Sequence, residues 1–240
     1  MDQNSNLEIK VIASGSKGNC YYLNDGSTAL LLECGIKFKD IQKAINFNLS
    51  DIQGVLLSHE HGDHSKAFKD VLKHGLELYT SLGTSESLEQ NNYYPNIIRA
   101  GNTFNIGTWS IYPFDVKHDA SEPLGFVLTS TKGYRVLFVT DTYVIPYHFP
   151  AVTHMLIESN YDENTLQNSI SNGLPSFRYK RLLKSHQSLE TLLMYLEKVD
   201  KSKLEEIHLI HLSEGNANKE LMINKVEELT GIKTYAHGGI

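Results

Sequence analysis

The stretch Ser58-His59-Glu60-His61-Gly62-Asp63-His64 places four potential metal ligands within six positions. It follows the apolar run Ile52 to Leu57, which is typical of a buried strand. Side chains two positions apart face the same side of an extended chain, so His59 and His61 would point into one cavity. Asp63 and His64 come just after, where a turn would direct them to a second position. The sequence therefore predicts a metal centre at the end of this strand.

The types of ligand indicate what kind of centre this is. Imidazole suits zinc, manganese and iron, and a flanking carboxylate is more typical of a hydrolytic than of a structural site. The tract offers more ligands than one catalytic ion with an open position needs, which favours two divalent ions, Zn²⁺ or Mn²⁺. The alternative is a solvated histidine-rich turn, but clusters of His and Asp more often mark metal or catalytic sites.

Composition narrows the classes of function. The chain has 240 residues, 40% of them hydrophobic, and a mean hydropathy of −0.30, as in ordinary globular proteins. No apolar run reaches membrane-spanning length and the first residues do not resemble a signal peptide, so we expect a cytoplasmic protein without a membrane partner. Cys20 and Cys34 lack CxxC spacing, which favours buried reduced thiols. The net charge of −6 means that a nuclease would have to concentrate its cations locally.

The chain shows no linker, repeat or low-complexity tract that would divide it. Patterns typical of strands and helices alternate, first up to about Asn92 and again from Trp109 onward. This order predicts an α/β protein of two αβ halves packed sheet against sheet with helices outside, forming a single domain over residues 1–240.

Three later strands also end in ligand-type residues. His118, Asp141 and His211 each follow an apolar strand pattern. Taken singly, each is more readily explained as a capping or hydrogen-bonded polar residue at a strand end. Together with the first cluster they supply seven ligands, as a two-metal centre requires, and Asp141 has two oxygens with which to bridge the ions.

These residues resemble the signature of the metallo-β-lactamase-fold superfamily, HxHxDH followed by a later His, a bridging Asp and a final His. The resemblance implies a four-layer αβ/βα sandwich. It also implies which ligands serve each ion: His59, His61 and His118 for one, Asp63, His64 and His211 for the other, and Asp141 between them.

Within that superfamily the chain looks similar to the bacterial WalJ (YycJ) family of exonucleases. The matching stretches are Ala13 to Asn19, the His59 cluster, Val116 to Pro123, Thr140 to Thr142, Glu158 to Asn160 and His211 to Ser213. Two positions depart from the family's pattern. Glu33 stands where the family usually has Asp. Tyr143 follows Thr142 at a position where the family often has Gly.

Glu158 and His186 resemble an acidic residue and a histidine of tRNase Z-like phosphodiesterases. In those enzymes the histidine protonates or stabilises the leaving oxygen, and the acidic residue orients it. The alternative is that Ser185 or His186 only caps the helix that follows. By the resemblance His186 is a general acid and Glu158 its orienting partner, and imidazole's pKa near neutral pH suits that role.

This constellation fits phosphodiester cleavage, because two cations neutralise the anionic ester and make a bridging hydroxide available near neutral pH. In that mechanism the hydroxide attacks phosphorus while His186 assists the leaving group. Asp63 would bind metal and also steer the nucleophile.

Two stretches of the sequence are candidates for substrate binding. The small-residue loop with Ser14, Ser16 and Asn19 offers backbone N–H groups to a phosphate, although it lacks Walker A spacing and a simple turn is as good an explanation. The basic stretch before His186 carries Arg178, Arg181 and Lys184 with aromatic residues interleaved. A solvated helix face is its alternative explanation, and its position beside His186 favours phosphate contact.

The leading hypothesis is a binuclear metal-dependent phosphodiesterase that acts as a DNA exonuclease, with nucleic acid as its partner. A phosphodiesterase of cyclic or small nucleotides is the second, since no separate nucleic-acid clamp is visible. A thiolesterase or lactonase of the same fold and a non-catalytic binding module remain further alternatives. A homodimer is also an expectation, since related folds often pair.

Overall fold

The structure is a computed structural model that describes residues 7–88 and 94–238, apart from the side chain of Arg178. The chain divides into two compact units. The first comprises Met1–Asp115 and Ala120–Tyr134, and the second comprises Val116–Asp119 and Arg135–Ile240. Among the described residues no helix is long and apolar enough to cross a membrane.

The first unit contains nine strands and four α-helices within its described part. The strands are β1 Glu8–Ala13, β2 Cys20–Asn24, β3 Ala29–Leu32, β4 Ile52–Leu56, β5 Leu78–Thr80, β6 Asn96–Ile97, β7 Phe104–Ile106, β8 Trp109–Asp115 and β9 Leu124–Ser130. The helices are α1 Phe38–Ala44, α2 Gly62–Ser65, α3 Phe68–Lys73 and α4 Leu82–Ser87, and a short 3-10 helix spans Leu49–Asp51.

Strands β1 to β6 form a mixed sheet in chain order. Antiparallel pairing joins β1, β2 and β3, and parallel pairing joins β3 to β6. Strand β4 lies between β3 and β5, and every residue of it except Gln53 is buried. Because both neighbours fix its backbone, the position where β4 ends, and so the start of the histidine tract, is fixed as well.

A buried carboxylate organises the turns of this unit. Asp25 follows β2, and its Oδ1 accepts hydrogen bonds from the backbone N–H groups of Ser27 and Thr28. Its Oδ2 accepts from the hydroxyls of Thr108 and Ser130, at the β7–β8 turn and the end of β9. Burial raises the pKa of Asp25, but these hydrogen bonds outweigh burial and lower it overall. The ionised side chain therefore joins the β2–β3 turn to the antiparallel group β7, β8 and β9.

The second unit contains four strands and four helices in its described part. The strands are β10 Arg135–Val139, β11 His154–Glu158, β12 Glu206–Leu212 and β13 Lys233–Gly238; the helices are α5 Glu163–Ser171, α6 Ser176–Ser185, α7 Leu189–Lys198 and α8 Lys219–Thr230. The strands pair in parallel in the order β13-β12-β11-β10. Parallel strands bring their carboxyl ends to one edge of the sheet. Asp141, Glu158 and His211 follow or end neighbouring strands at that edge.

Side-chain caps fix where three of these helices begin. Asp162, Ser188 and Asn218 accept hydrogen bonds from the backbone N–H groups three positions on, at the starts of α5, α7 and α8. Helix α8 ends at Gly231, whose φ of 70° is the left-handed conformation that glycine adopts easily. Helix α6 has no side-chain cap.

The predicted α/β class is confirmed by these elements. Cys20 and Cys34 are free and buried, as expected, and burial raises the pKa of both thiols. The single domain over residues 1–240 stays a prediction.

Candidate metal centre

In the first unit the histidine tract leaves the end of β4 with its rings close together. His59 Nε2 lies 3.1 Å from His61 Nδ1, and the two rings meet edge to face at 4.7 Å. The ring centroid of His59 is also 4.2 Å from that of His64. His59 and His64 are buried, while His61 and Asp63 are partly exposed. Nitrogens about 3 Å apart fit neighbouring positions around one divalent ion.

Groups behind the tract orient these rings. Ser58 Oγ lies 2.8 Å from His59 Nδ1, which leaves Nε2 of His59 to face His61. On His64, Nδ1 lies 3.5 Å from Glu33 Oε2, and Nε2 lies 3.5 Å from Asp63 Oδ2. Metal-binding histidines commonly bond an oxygen through the second ring nitrogen, because this fixes the tautomer. Here Ser58 supplies the oxygen partner of His59, and Glu33 supplies that of His64.

Glu33 is the residue that departs from the family's usual Asp. It is fully buried, its backbone φ is 66°, and its carboxylate accepts a hydrogen bond from the backbone N–H of Ser58 at 3.3 Å. The longer side chain still reaches His64. The substitution therefore preserves a carboxylate behind the tract.

Asn19 connects the small-residue loop to the tract. Its Oδ1 accepts from the backbone N–H of Gly15, its Nδ2 donates to the carbonyl of Asp63, and Nδ2 also lies 3.1 Å from His64 Nε2. The backbones are in close contact too, since a Cβ placed on Gly35 would lie 1.7 Å from the carbonyl oxygen of Asp63. Only glycine fits at position 35, and the loop is held against the tract.

In the second unit the carboxylate of Asp141 lies between two histidines. Its Oδ2 is 3.5 Å from His118 Nε2, and its Oδ1 is 3.3 Å from His211 Nδ1. Thr140 donates its hydroxyl to Oδ1 at 2.8 Å. Asp141 is 2% exposed, so its charge is almost wholly removed from water. A buried carboxylate with one oxygen toward each histidine has the geometry of a shared ligand.

The position of His118 is set by its other nitrogen. His118 Nδ1 lies 2.9 Å from the carbonyl oxygen of Ser185, so Nδ1 carries the proton and Nε2 is the nitrogen with the lone pair that a metal could use. Burial lowers the pKa of His118, although the charge of Asp141 acts in the opposite direction. The ring is therefore neutral near pH 7, the form that binds metals.

Glu158 and His186 form a close pair beside these ligands. His186 Nδ1 lies 2.7 Å from Glu158 Oε1, and Glu158 Oε2 accepts from the backbone N–H groups of Thr142 and Gln187. Burial lowers the pKa of His186, but the charge of Glu158 and its hydrogen bond outweigh burial and raise it overall. Burial raises the pKa of Glu158, and His186 and further hydrogen bonds reverse this to a net lowering. The pair therefore favours the protonated ring and the ionised carboxylate.

His211 completes the group in the second unit. Its Nδ1 lies 3.2 Å from Glu158 Oε1, and Asn160 donates to its backbone carbonyl at 2.8 Å. Asp141, Glu158, His186 and His211 each offer one ligand atom within 4.8 Å of one another. This group in the second unit therefore fits divalent metal binding, and the histidine tract of the first unit supplies further imidazole and carboxylate donors.

Comparison with known proteins identifies the family. A family model described as "Beta-lactamase superfamily domain" matches residues 28–208, well over half of the chain. The chain belongs to this family. It is 28% identical over 248 residues to an exodeoxyribonuclease YycJ of Bacillus anthracis, covering 97% of this chain and 92% of the relative. It is 29% identical over 245 residues to an exodeoxyribonuclease WalJ of Streptococcus pneumoniae, covering 92% and 89%.

Solved structures show the same fold. The metallo-beta-lactamase fold protein YhfI from Bacillus subtilis superposes with a TM-score of 0.74 at 14% identity, over 98% of this chain and 97% of the other. Human tRNase Z, short form, gives 0.64 at 11% identity over 96% of both chains. The metallo-β-lactamase-type fold predicted for this beta-lactamase superfamily domain is confirmed.

The predicted substrate-binding residues of this superfamily domain lie in different settings. Ser16 is exposed, whereas Ser14 lies 3.0 Å from Tyr21 and Asn19 is buried against the tract. The burial of Asn19 favours a positioning role over substrate contact. Arg181 and Lys184 are exposed on α6, and the side chain of Arg178 lies outside the described part of the chain. Substrate contact by all of these residues stays a prediction.

Sequence reasoning did not single out the residues behind the ligands. Ser58 and Asn160 lie in the motifs given above and Gln187 directly follows His186, but nothing about their residue types assigned them a role. Their contacts to His59, His211 and Glu158 depend on where neighbouring chain segments meet. Spacing along the sequence does not carry that information.

Proposed function

We propose that this metal-dependent hydrolase is a phosphodiesterase that acts as a nuclease on DNA. The observation that carries the proposal is the Glu158–His186 pair, 2.7 Å apart beside Asp141 and His211. An imidazolium held by a buried carboxylate is a proton donor, which a leaving alkoxide needs. The relatives named exodeoxyribonucleases match this chain over nearly its whole length, which supports DNA as the substrate.

We assign the metal ligands as the resemblance implies. The proposed ligands of one ion are His59, His61 and His118, those of the other are Asp63, His64 and His211, and Asp141 is shared. Their donor atoms, imidazole nitrogens and carboxylate oxygens, suit Zn²⁺ and Mn²⁺. When bound, two such ions would neutralise the phosphate charge and increase the acidity of a water.

Side chains of the protein orient the attacking water and protonate the leaving oxygen. Asp63 has a partly exposed side chain. We assign to it the hydrogen bond that orients the attacking water. His186 donates its proton to the oxygen that leaves phosphorus, and Glu158 keeps the ring oriented and charged until then. The bond from phosphorus to the leaving oxygen breaks as the bond to the water oxygen forms. The released strand carries the proton from His186, and the proton that the water loses passes to solvent, from which His186 is protonated again.

Turnover of phosphodiesters by the full-length protein loaded with Mn²⁺ or Zn²⁺ tests this function. The substrates are bis-p-nitrophenyl phosphate, single-stranded and duplex DNA, RNA, cyclic mononucleotides, a thioester and a lactone. We expect hydrolysis of bis-p-nitrophenyl phosphate and release of nucleotides from DNA. Cleavage of cyclic mononucleotides without cleavage of DNA would replace the nuclease with a small-nucleotide phosphodiesterase. Turnover of only the thioester or lactone would overturn the proposal.

The compartment and the assembly of the protein stay predictions. We retain a cytoplasmic location and a homodimer as expectations. Sedimentation velocity of the purified protein checks the second, and a single species at the mass of one chain would contradict it.

A further inference from the structure

Helix α6, Ser176–Ser185, exposes most of its described side chains, while Tyr179 and Leu182 are partly buried. Of its described side chains only Ser185 is buried, and the ring of Phe177 is 70% exposed. A surface helix normally buries an apolar stripe, and a helix of ten residues gains little stability from its own hydrogen bonds. The exposure of Phe177 therefore calls for an explanation other than packing within the described chain.

The last turn and a half of α6 is attached to the segment that carries His118. The carbonyl oxygen of Ser185 lies 2.9 Å from His118 Nδ1, and Arg181 Nε donates to Asp119 Oδ2 at 3.2 Å. Asp119 Oδ1 in turn lies 3.3 Å from His118 Nε2, the proposed ligand atom. The helix thus ends beside the proposed reaction centre, with its last turns held against the segment that carries His118.

One face of α6 carries a ring and two cations in a line. Phe177, Arg181 and Lys184 stand at positions i, i+4 and i+7, which share a helix face. We call these three residues the α6 stripe. The helix contains no acidic residue, although the chain as a whole carries a net charge of −6. A local concentration of cations on an acidic protein is what a polyanionic ligand needs.

We propose that the α6 stripe holds the unpaired end of a DNA strand as it enters the reaction centre. This inference rests on the proposed nuclease function and names the form of the substrate. Arg181 and Lys184 bind successive phosphates, and Phe177 stacks on a base. Stacking on a side chain requires a base whose face is free, which a single strand offers and the interior of a duplex does not.

Arg181 can exchange its ion-pair partner, Asp119, for a phosphate of the strand. Both side chains are about half exposed, at 59% and 49%, and exposed ion pairs contribute little to stability. A phosphate oxygen can therefore replace Asp119 at Arg181 at small cost. In the free protein, Asp119 keeps the guanidinium oriented toward the segment that carries His118.

Binding of a nuclease-resistant strand to the full-length, metal-loaded protein tests the inference. The probe is a fluorescent single-stranded oligonucleotide with phosphorothioate linkages, compared with a blunt duplex of equal length by fluorescence anisotropy. We expect preference for the single strand, about tenfold weaker binding by Phe177→Ala, and retained binding by Phe177→Trp, which keeps a stacking ring. Arg181→Ala should reduce the slope of log affinity against log salt concentration by about one, as expected when one phosphate contact is lost.

Two matched variants control for exposure and charge. Met194→Ala removes an exposed apolar side chain, 56% exposed, from α7, and Lys225→Ala removes a half-exposed cation that is paired with Glu228 on α8. Both should bind the strand as the unaltered protein does. Losses as large as those of Phe177→Ala and Arg181→Ala would overturn the inference.

The inference and the proposed function fail in different ways. If the unaltered protein hydrolyses bis-p-nitrophenyl phosphate and Phe177→Ala binds the single strand with full affinity, the α6 stripe is excluded and the phosphodiesterase stands. Equal affinity of the unaltered protein for duplex and single strand would likewise exclude it. If metal-loaded protein turns over no phosphodiester, the function itself is wrong, whatever the strand binding.

Discussion

At the scale of single residues, His186 and Glu158 are the pair to which we assign the acid step of the proposed phosphodiesterase. The side chain of Glu158 is fully buried, and that of His186 is 11% exposed. Since the raised pKa of His186 keeps it protonated over a wider pH range, the ring can deliver a proton near neutral pH. This role needs a proton on the ring and no bond to a metal.

Replacing His186 should therefore lower turnover without loss of metal. We expect His186→Asn to reduce kcat on DNA by about 10²- to 10⁴-fold, because the general acid positioned for the leaving alkoxide is lost. Elemental analysis of the same preparation should show the metal content of the unaltered protein. His74→Asn, on an exposed ring at the end of α3, is the control and should change neither quantity. Loss of metal from His186→Asn would assign His186 to the ligands instead.

Asn19 supports the histidine tract from behind. Its amide bonds Gly15, Asp63 and Tyr21 and lies against His64, all in a fully buried setting. Asn19→Ala leaves several of these groups without partners, so we expect unfolding free energy to fall by about 2–3 kcal/mol. Metal affinity should also fall by about 10- to 100-fold.

Urea unfolding and metal titration measure the two effects of Asn19→Ala. Asn24→Ala, which breaks only local bonds near the β2–β3 turn, is the matched control. A variant that loses stability but keeps full metal affinity would contradict the positioning role.

Residue types at this site were predictable, but their backbone conformations were not. The spacing of the tract and the strand-end positions of His118, Asp141 and His211 identified the ligand candidates. However, Glu33, Asp141 and His211 have φ values of 66°, 41° and 56°, in the left-handed region that such residues rarely adopt. Surrounding contacts impose this conformation, and strain of this kind concentrates at functional sites.

At the scale of elements, strands β12 and β13 place several titratable side chains on one face. His208 Nδ1 lies 3.0 Å from His237 Nε2, and His208 Nε2 lies 3.3 Å from Glu206 Oε2. Tyr235 stacks on His208, and Lys233 lies over the Tyr235 ring. Burial, His208 and Lys219 lower the pKa of His237 to about 4.

This lowered pKa makes the sheet sensitive to acid. The unfolded chain takes up a proton at His237 near pH 6.5, whereas the folded chain does so only near pH 4, so stability falls as pH falls through that window. Over this pH window, we expect the unfolding free energy of His237→Gln to fall by on the order of 1 kcal/mol less than that of the unaltered protein. The partial exposure of His237 keeps the difference this small.

Urea unfolding at several pH values between these limits measures the difference. His74→Gln, an exposed histidine of the first unit, should follow the unaltered protein. If His237→Gln loses as much stability on acidification as the unaltered protein, another group is responsible.

The sequence encodes some elements locally and others only through pairing with their neighbours. Ser188 and Asn218 are of the residue types that commonly cap helices, and they cap α7 and α8. By contrast, β5 and β6 have three and two residues, too few to show a period, and exist through pairing with neighbours. The polar helix α5 likewise buries few residues, so its sequence shows no clear apolar stripe.

At the scale of the whole molecule, the proposed ligands come from both compact units. Any ligand that binds only the folded chain stabilises it in proportion to its concentration. We therefore expect a chelator to lower Tm, and a metal concentration about a hundredfold above Kd to add about 2.7 kcal/mol to unfolding free energy. Scanning calorimetry with and without Mn²⁺ or Zn²⁺ measures this. Identical Tm values would contradict metal binding by the folded chain.

The number of ions per chain tests the central claim most directly. Protein reconstituted with Mn²⁺ or Zn²⁺ and dialysed free of excess metal is measured by elemental analysis, beside His59→Ala and His211→Ala, one variant from each proposed ligand set. We predict two equivalents in the unaltered protein and a lower content in both variants. Less than one equivalent in the unaltered protein, or full content in either variant, would contradict the proposed binuclear centre.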